Sequence, residues 1–485
     1  MIRRLCILFL TGALVIPVVA KPNILLIVSE DNGPELGCYG EPYVKTPHLD
    51  RLAAGGVRFD RAYVPQAGCS QSRAAYLTGL YPHQNGQIGL ATWKFRMYSE
   101  ETPNLVRSLK QAGYHTGIIG KLHVNPKSAF PFDFKAITTS NFARKNLKNY
   151  AASAKEFIDE SDKPFFLSVN YPDPHRPFTK KVGGLPEHPL EAKDVKPFAY
   201  FGEGVDTPEL REQVANYYNC MSRLDSLVGH LLKVLEESGK ADNTVIVYFG
   251  DHGADLLRGK RTSYEGGVRV PLIIKWGDRW KSPRSELVST LDLMPTLLEL
   301  AGAKPVAGLA GRSLLPVLRD QRKRDWRTHL FTEFHIHSGH NYYPQRTVRD
   351  ERFKLIRNLM PGTVNPGYDF TMNRFFDGLQ KVIESSPVKD AYALMRQPPE
   401  FELYDLEKDP YELRNLADDP NHAPRLAELR KHLAAWRKRT KDPMLNPANV
   451  RRLKQEVEAC FKDGKPEKDR LKLSYPDYFF EKGRE

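Results

Sequence analysis

The chain has 485 residues, 41% of them hydrophobic, which allows a large buried core and excludes a fibrous or disordered protein. Five cysteines are too few for a disulfide scaffold of this size, and a formal charge of +13 suits an anionic partner. No stretch beyond the first twenty residues is long and apolar enough to span a bilayer.

Residues 1–20 read as a cleavable signal. MIRR is a basic start, Leu5 to Pro17 is a short apolar run, and Val18-Val19-Ala20 ends in a small residue before Lys21. The apolar run falls short of the roughly 20 residues a spanning helix needs. The exported chain is therefore expected outside the cytoplasm, secreted or periplasmic. Its cysteines are Cys38, Cys69, Cys220 and Cys460, and its charge is +11 once Arg3 and Arg4 have left. With Cys69 set aside for chemistry, at most one disulfide can form among the other three.

From residue 22 the chain alternates strands and helices. "NILLIV", "PFFLSVNY", "NTVIVYFG" and "VPLIIKW" are short apolar runs rich in β-branched and aromatic residues, the pattern of buried strands. "TPHLDRLAAGG" places Thr46 as a cap, Pro47 at the first helical position and a glycine stop, and "TPNLVRSLKQAG" repeats that arrangement. Thr207 to Gly239 is predicted as a longer helix with Leu224, Leu227, Val228, Leu231 and Leu235 on one face. The class is α/β, a large and mostly parallel sheet flanked by helices, spanning residues 21–325. From 326 to 463 the pattern changes to a smaller α+β domain. "RTVRDERFKLIRN" and "FELYDLEKDPYELRNL" read as antiparallel strands, and a helix runs from about Ala423 to Thr440. The basic run "RKHLAAWRKRTKD" reads as the wet face of that helix, with no nucleic-acid role. Residues 464–485 read as a weakly ordered basic tail.

Chemistry gathers at strand ends. Glu30-Asp31-Asn32 follows the first strand and Asp251-His252 follows "VIVYFG", so their carboxylates can converge on a hard divalent cation, with His252 the awkward member. Cys69 stands at a helix start, where unpaired N–H groups favour a developing anion, and Arg73 follows four residues later. "IIGKLHV" sets Lys121 and His123 two apart, on one face if the segment is extended. "NYPDPHRPF" puts His175 in a proline-rich loop, and "GKRTSYEGG" supplies Lys260. Together these offer a tetrahedral anion several donors and a histidine able to act as acid or base.

Cys69-Ser70-Gln71-Ser72-Arg73, followed by "AAYLTGLYPHQNG", resembles the signature of the type I, formylglycine-dependent sulfatases. Glu30-Asp31, "GKLH", "DPH", "GDHG", "GKRTSYEGGVRVP" and "ELYDLEKDPYELRNLA" recur in that family's order, so the resemblance spans nearly the whole chain after the signal. "HQNGQIGL", "GKLHVNPKSAFPFDF", "DPHRPF" and "YYPQRTVRDERFKLIRNL" are most similar to its sulfamidase branch, the heparan N-sulfatases.

The resemblance implies an alkaline-phosphatase-like fold with a C-terminal antiparallel sheet. It implies that Cys69 is oxidised to formylglycine by a formylglycine-generating enzyme or an anaerobic sulfatase-maturating enzyme, and that the aldehyde hydrate is the nucleophile. Arg73 would hold that hydrate, and Glu30, Asp31, Asp251 and His252 would bind Ca2+. Lys121 and Lys260 would grip the sulfuryl oxygens. His175, with Lys121, would protonate the leaving group, and His123 would take the proton that lets sulfate depart. The sequence departs from the family pattern at Gln71, where maturation favours proline, at Glu30, where aspartate is usual, and at His252, where the sulfamidase branch often has asparagine. In "TEFHIHSGHNYYPQR", Glu333, His335 and Arg346 are expected to overhang the pocket and bind the sugar. The implied partner is a sulfated saccharide of the heparin or heparan type, and a homodimer is the assembly to test. An O-sulfatase, a phosphoesterase of the same superfamily and a non-catalytic glycan binder are the alternatives left open.

Overall fold

The computed structural model describes residues 21–320, 326–373, 375 and 378–479. The signal expected over 1–20 and the domain boundary expected at 325 lie outside them.

Seven strands form the main sheet: β1 Asn23–Ser29, β2 Val57–Arg58, β3 His115–Gly120, β4 Phe134–Ala136, β5 Phe165–Tyr171, β6 Thr244–Gly250 and β7 Leu272–Trp276. Their order is β2-β7-β6-β1-β5-β3-β4. β6, β1, β5, β3 and β4 are parallel, while β7 runs antiparallel to β6 and β2 antiparallel to β7. The apolar run "VPLIIKW" is therefore a strand as expected, but of the opposite direction.

Alternation along each strand feeds two cores. Leu25, Ile27, Leu167, Val169 and Tyr248 face α1 (Pro47–Ala54) and the long helix, while Ile24, Leu26, Val28, Phe166 and Val247 face the opposite side with Leu77 and Leu109. That side holds α2 (Cys69–Thr78) and α3 (Leu105–Gln111). α3 starts two residues beyond the expected proline, because Asn104 caps it by accepting from Arg107 N. α4 (Asn149–Asp159) and α5 (Pro208–Glu237) cover the first face. Thr207 caps α5 through Leu210 N, and its five predicted apolar positions are all buried.

A second, antiparallel sheet follows from β8 (Leu330–Phe334), β9 (Gln345–Arg349), β10 (Phe353–Asn358) and β11 (Phe401–Asp405). "YELRNL" adds no strand to it; Leu416 N returns to Leu403 O instead. α6 (Ala423–Arg439) packs on this sheet through Leu429, Leu433 and Trp436. Its basic run is not uniformly wet, since Arg437 is buried and donates to Asp442 Oδ2 at 2.6 Å.

After Asp463 the chain stays largely exposed through Arg470, but from Leu471 through Phe479 it is packed rather than loose. Tyr475, Tyr478 and Phe479 join Ile88, Phe95 and Ile336 in a separate core, and Tyr475 Oη shares its one proton between Arg96 O at 2.7 Å and Gly86 O at 2.9 Å. Cys38, Cys69, Cys220 and Cys460 are all free thiols, so no disulfide forms among them.

Candidate active site

Strand register fixes where the site assembles. Ser29 at the end of β1 lies opposite Tyr171 of β5 and Gly250 of β6, and Gly120 of β3 lies opposite Asn170 of β5. The residues that follow, Glu30-Asp31, Lys121, Asp173 to His175 and Asp251-His252, therefore leave the sheet along one edge. Gly250 is glycine for a spatial reason, because a Cβ there would lie 1.9 Å from Asn32 O. Asp31 and His123 hold positive φ angles of 52° and 56° without being glycine, backbone strain of the kind that clusters at functional sites.

Cys69 is the first residue of α2, after an extended Gly68 at the cap, so its thiol sits at the positive end of a ten-residue helix. Sγ lies 3.3 Å from His252 Nε2 and 3.4 Å from Lys260 Nζ, and the residue is 1% exposed. Arg73, one turn on, is wholly buried. Its Nη2 pairs with Glu30, Nη1 donates to Asn170 Oδ1 at 2.7 Å and to Lys121 O at 3.0 Å, and Nε lies 3.3 Å from Asp251 Oδ2. Asn170 escaped the sequence reading, although a polar residue next to the end of an apolar strand was the available signal.

The carboxylates suit a cation. Asp31 Oδ1 and Asp251 Oδ1 lie 3.3 and 3.7 Å from His252 Nε2, and Asp251 Oδ2 is buried without a hydrogen bond. Burial and the neighbouring Glu30 charge raise the Asp251 carboxyl, and against burial the Asp251 and Asp31 carboxylates raise His252 to about 9. Both shifts arise where carboxylates crowd together after β1 and β6. Glu30 is already held by Lys121 at 2.6 Å, and Asp31 by Lys260 Nζ at 2.9 Å. The oxygen-rich donors Asp31 and Asp251, with Glu30 beside them and His252 closing the set, fit a hard divalent ion such as calcium.

The two outer histidines come from loops. β3 stops at Gly120, so Lys121 and His123 do not share a strand face as an extended segment would require. His123 nevertheless stays near enough to Lys121, Glu30, Arg73 and Lys260 to feel their charges. It has both ring nitrogens free of hydrogen bonds, and with Lys121 it lines a cavity of about 450 Å³. Burial, with Lys121 next, holds it well below the usual imidazole range. His175 stacks on Phe142 at 3.7 Å, its Nδ1 lies 2.5 Å from Arg176 O, and its Nε2 lies 3.9 Å from Asp31 Oδ2. Its loop is anchored by Asp173, which accepts from Arg223 Nε at 2.7 Å and from Arg144 Nε at 2.6 Å and whose carbonyl accepts from Glu30 N. Arg144 and Arg223 were not foreseen, since their partner lies on a different element.

Glu333, His335 and Arg346 are brought together, but not over the pocket. All three are fully buried between β8, β9 and the loop after α2. Glu333 accepts from His83 N at 2.9 Å and pairs with His83 Nδ1 at 2.5 Å, and Arg346 grips Asp442 with Nε and Nη2 at 2.9 and 2.8 Å. The expected sugar contacts are thus consumed by an internal ion network. What reaches the site from this segment is the next stretch of chain. Gln71 Nε2 donates to Ile336 O at 2.6 Å, and a Cβ on Gly68 would meet His337 Nδ1 at 3.0 Å.

Comparison with known proteins agrees with this arrangement. Residues 22–303 match the sulfatase family, and residues 250–374 match the family described as N-sulphoglucosamine sulphohydrolase, C-terminal. The chain is 34% identical over 466 residues to human N-sulphoglucosamine sulphohydrolase, covering 87% of this chain and 91% of that protein. It is 29% identical over 477 residues to an ulvan-active sulfatase of Formosa agariphila, covering 86% of this chain and 74% of the other. A solved 2-O GAG sulfatase shares the fold with a TM-score of 0.67 at 24% identity, over 87% of this chain and 93% of its own. With the helix-borne Cys69, its buried arginine and the strand-end carboxylates in place, the chain belongs to the sulfatase family, on an alkaline-phosphatase-like α/β fold.

Proposed function

We propose that the protein releases sulfate from N-sulfoglucosamine in heparin- or heparan-type saccharides, with a nucleophile made from Cys69. The observation that supports this most is the match of residues 250–374 to the N-sulphoglucosamine sulphohydrolase C-terminal family, together with 34% identity to the human enzyme across both domains. The basic and then apolar first twenty residues support export, so the working place is the periplasm or the outside of the cell. Among the described residues no helix is long and apolar enough to cross a membrane. A formylglycine-generating or anaerobic sulfatase-maturating enzyme is the partner needed during synthesis.

A calcium ion held by Asp31, Asp251, His252 and Glu30 would supply charge beside the sulfuryl group, and formylglycine at position 69 would supply the attacking oxygen. The remaining roles fall to side chains of this chain. Lys121 and Lys260 stand on two sides of the acidic pair and present fixed ammonium groups to sulfuryl oxygens, where preorganised charge lowers the barrier. Arg73, locked by Glu30 and Asn170, fixes the nucleophile's helix against the carboxylates.

His175 commits Nδ1–H to Arg176 O, which turns Nε2 toward the site. Burial, aided by Lys260 and Lys121 and opposed by Asp31, brings it to about 4, so it is neutral in the resting site. An anionic substrate raises it again, and Nε2 then donates its proton to the departing amine nitrogen. His123, neutral and without a hydrogen bond, accepts the proton whose loss frees sulfate.

The test is sulfate release from N-sulfoglucosamine and from N-acetylglucosamine 6-sulfate, by protein whose position 69 has been confirmed by mass as the aldehyde. Preferential release from the first supports S–N cleavage. Release from the second alone overturns the N-sulfate reading and leaves the family's chemistry on an O-sulfate.

A further inference from the structure

The small domain carries a third polar grouping, on a surface that the hydrolytic site does not use. Glu428 and His432 stand four residues apart on α6, so their side chains rise from one face of the helix. The chain entering β8 brings His329 against them. The His329 and His432 rings lie 3.9 Å apart at 23°, and one ligand atom from each of the three residues lies within 4.8 Å of the others.

Four details separate this cluster from polar side chains that merely face water. His329 Nδ1 lies 3.0 Å from Thr328 Oγ1, and an N–H donated there leaves the lone pair on Nε2. His329 Nε2 is enclosed and has no hydrogen-bond partner. Arg425 Nη1 takes Glu428 Oε2 at 2.6 Å, which leaves Oε1 for a cation. Two imidazoles packed face to face with no hydrogen bond between them also gain little from each other, whereas both are good ligands.

Two imidazole nitrogens and one carboxylate make a donor set for a borderline ion, unlike the oxygen-rich set at the cleft. We propose that His329, Glu428 and His432 form a surface site for a divalent transition ion, zinc in the first instance, which ties α6 to the segment that enters the small sheet. The ligands come from two elements, α6 and the chain entering β8, so the ion binds the folded chain in preference to the unfolded one and stabilises it.

The experiment is a calorimetric titration of the full, metal-stripped chain with zinc chloride, set beside the variants His329→Ala, His432→Ala and Glu428→Gln. Because the cleft can also take zinc, the readout is the difference between proteins. The wild type should bind one zinc equivalent more than either histidine variant, and Glu428→Gln should bind that equivalent at least about tenfold more weakly. Zinc should raise the Tm of the wild type more than that of the variants, while metal-free Tm values agree to within about 2 °C. Cobalt chloride should give visible absorption bands that are lost in His432→Ala. The same zinc stoichiometry and affinity in wild type and in both histidine variants would overturn the proposal, as would a wild type that binds no zinc beyond the cleft.

Discussion

The cluster around Glu333 and the cluster around Asp251 are equally dry and use the same residue types, yet they are assembled to opposite ends. At the junction of the two sheets each charge is met. Glu333 receives His83 twice, and Asp442 takes Arg346, Arg437 and the Met444 amide. In the cleft, Asp251 keeps one oxygen without a hydrogen bond, His123 keeps two unpartnered nitrogens, and Asp31 holds a positive φ. The first network meets its charged groups from within the chain and leaves only the neutral His335 ring nitrogens without a hydrogen bond, whereas the second leaves a carboxylate oxygen itself unmet by the protein's own atoms. A buried polar group without a partner costs stability, so its persistence at the strand ends points to something that completes it during function.

Substitutions should separate the two clusters. The largest effect is expected for Cys69→Ala, which should lower sulfate release on the order of 10⁴-fold or more while leaving the Tm nearly unchanged. Cys69→Ser should permit one sulfuryl transfer and then stall, so single turnover without multiple turnover is the measurement. Glu333→Gln should do the reverse. It leaves Arg346 and His83 facing a weaker acceptor, and unfolding in denaturant should show a loss of about 3–5 kcal/mol, with turnover per folded molecule little changed.

Asp251→Asn sharpens the comparison further. Calcium at a hundred times its dissociation constant should stabilise the wild type by about 2.7 kcal/mol, and that gain should vanish in the variant. A wild type whose Tm ignores calcium would erase the contrast between a closed and an open network.

The last test concerns pH. Burial, with the Arg346 guanidinium, pushes His335 down from 6.5 to about 4 against the pull of Glu333. Below pH 6.5 the unfolded chain binds a proton that the folded one refuses, so stability falls as pH drops from 6.5 toward 4. His335→Gln should make that slope shallower in denaturation curves measured at stepped pH.

Much of the fold was legible because buried parallel strands are short apolar runs and their chemistry sits immediately after them. Glu30-Asp31, Asp251-His252 and Lys121 could all be placed at one sheet edge on that basis. Strand direction could not be read, since "VPLIIKW" is equally apolar in either sense and only pairing with β6 sets it. The fate of Glu333 and Arg346 was hidden for a related reason. Their partners, His83 and Asp442, lie far away in the chain, and a polar segment reads alike whether it faces solvent or an internal counter-charge. The lysine-rich end concealed its packing because composition averages over Tyr475, Tyr478 and Phe479, which carry the contact.

The hydrogen bonds from Tyr475 to Gly86 and Arg96 also have a bearing on timing. They join Tyr475 to the loop beyond the nucleophile's helix across 389 and 379 positions of sequence, so that loop gains this support only after residue 475 has emerged. Contacts of such long sequence separation form late in folding. A thiol only 1% exposed in the finished fold is within reach of another enzyme only before the chain around it has closed.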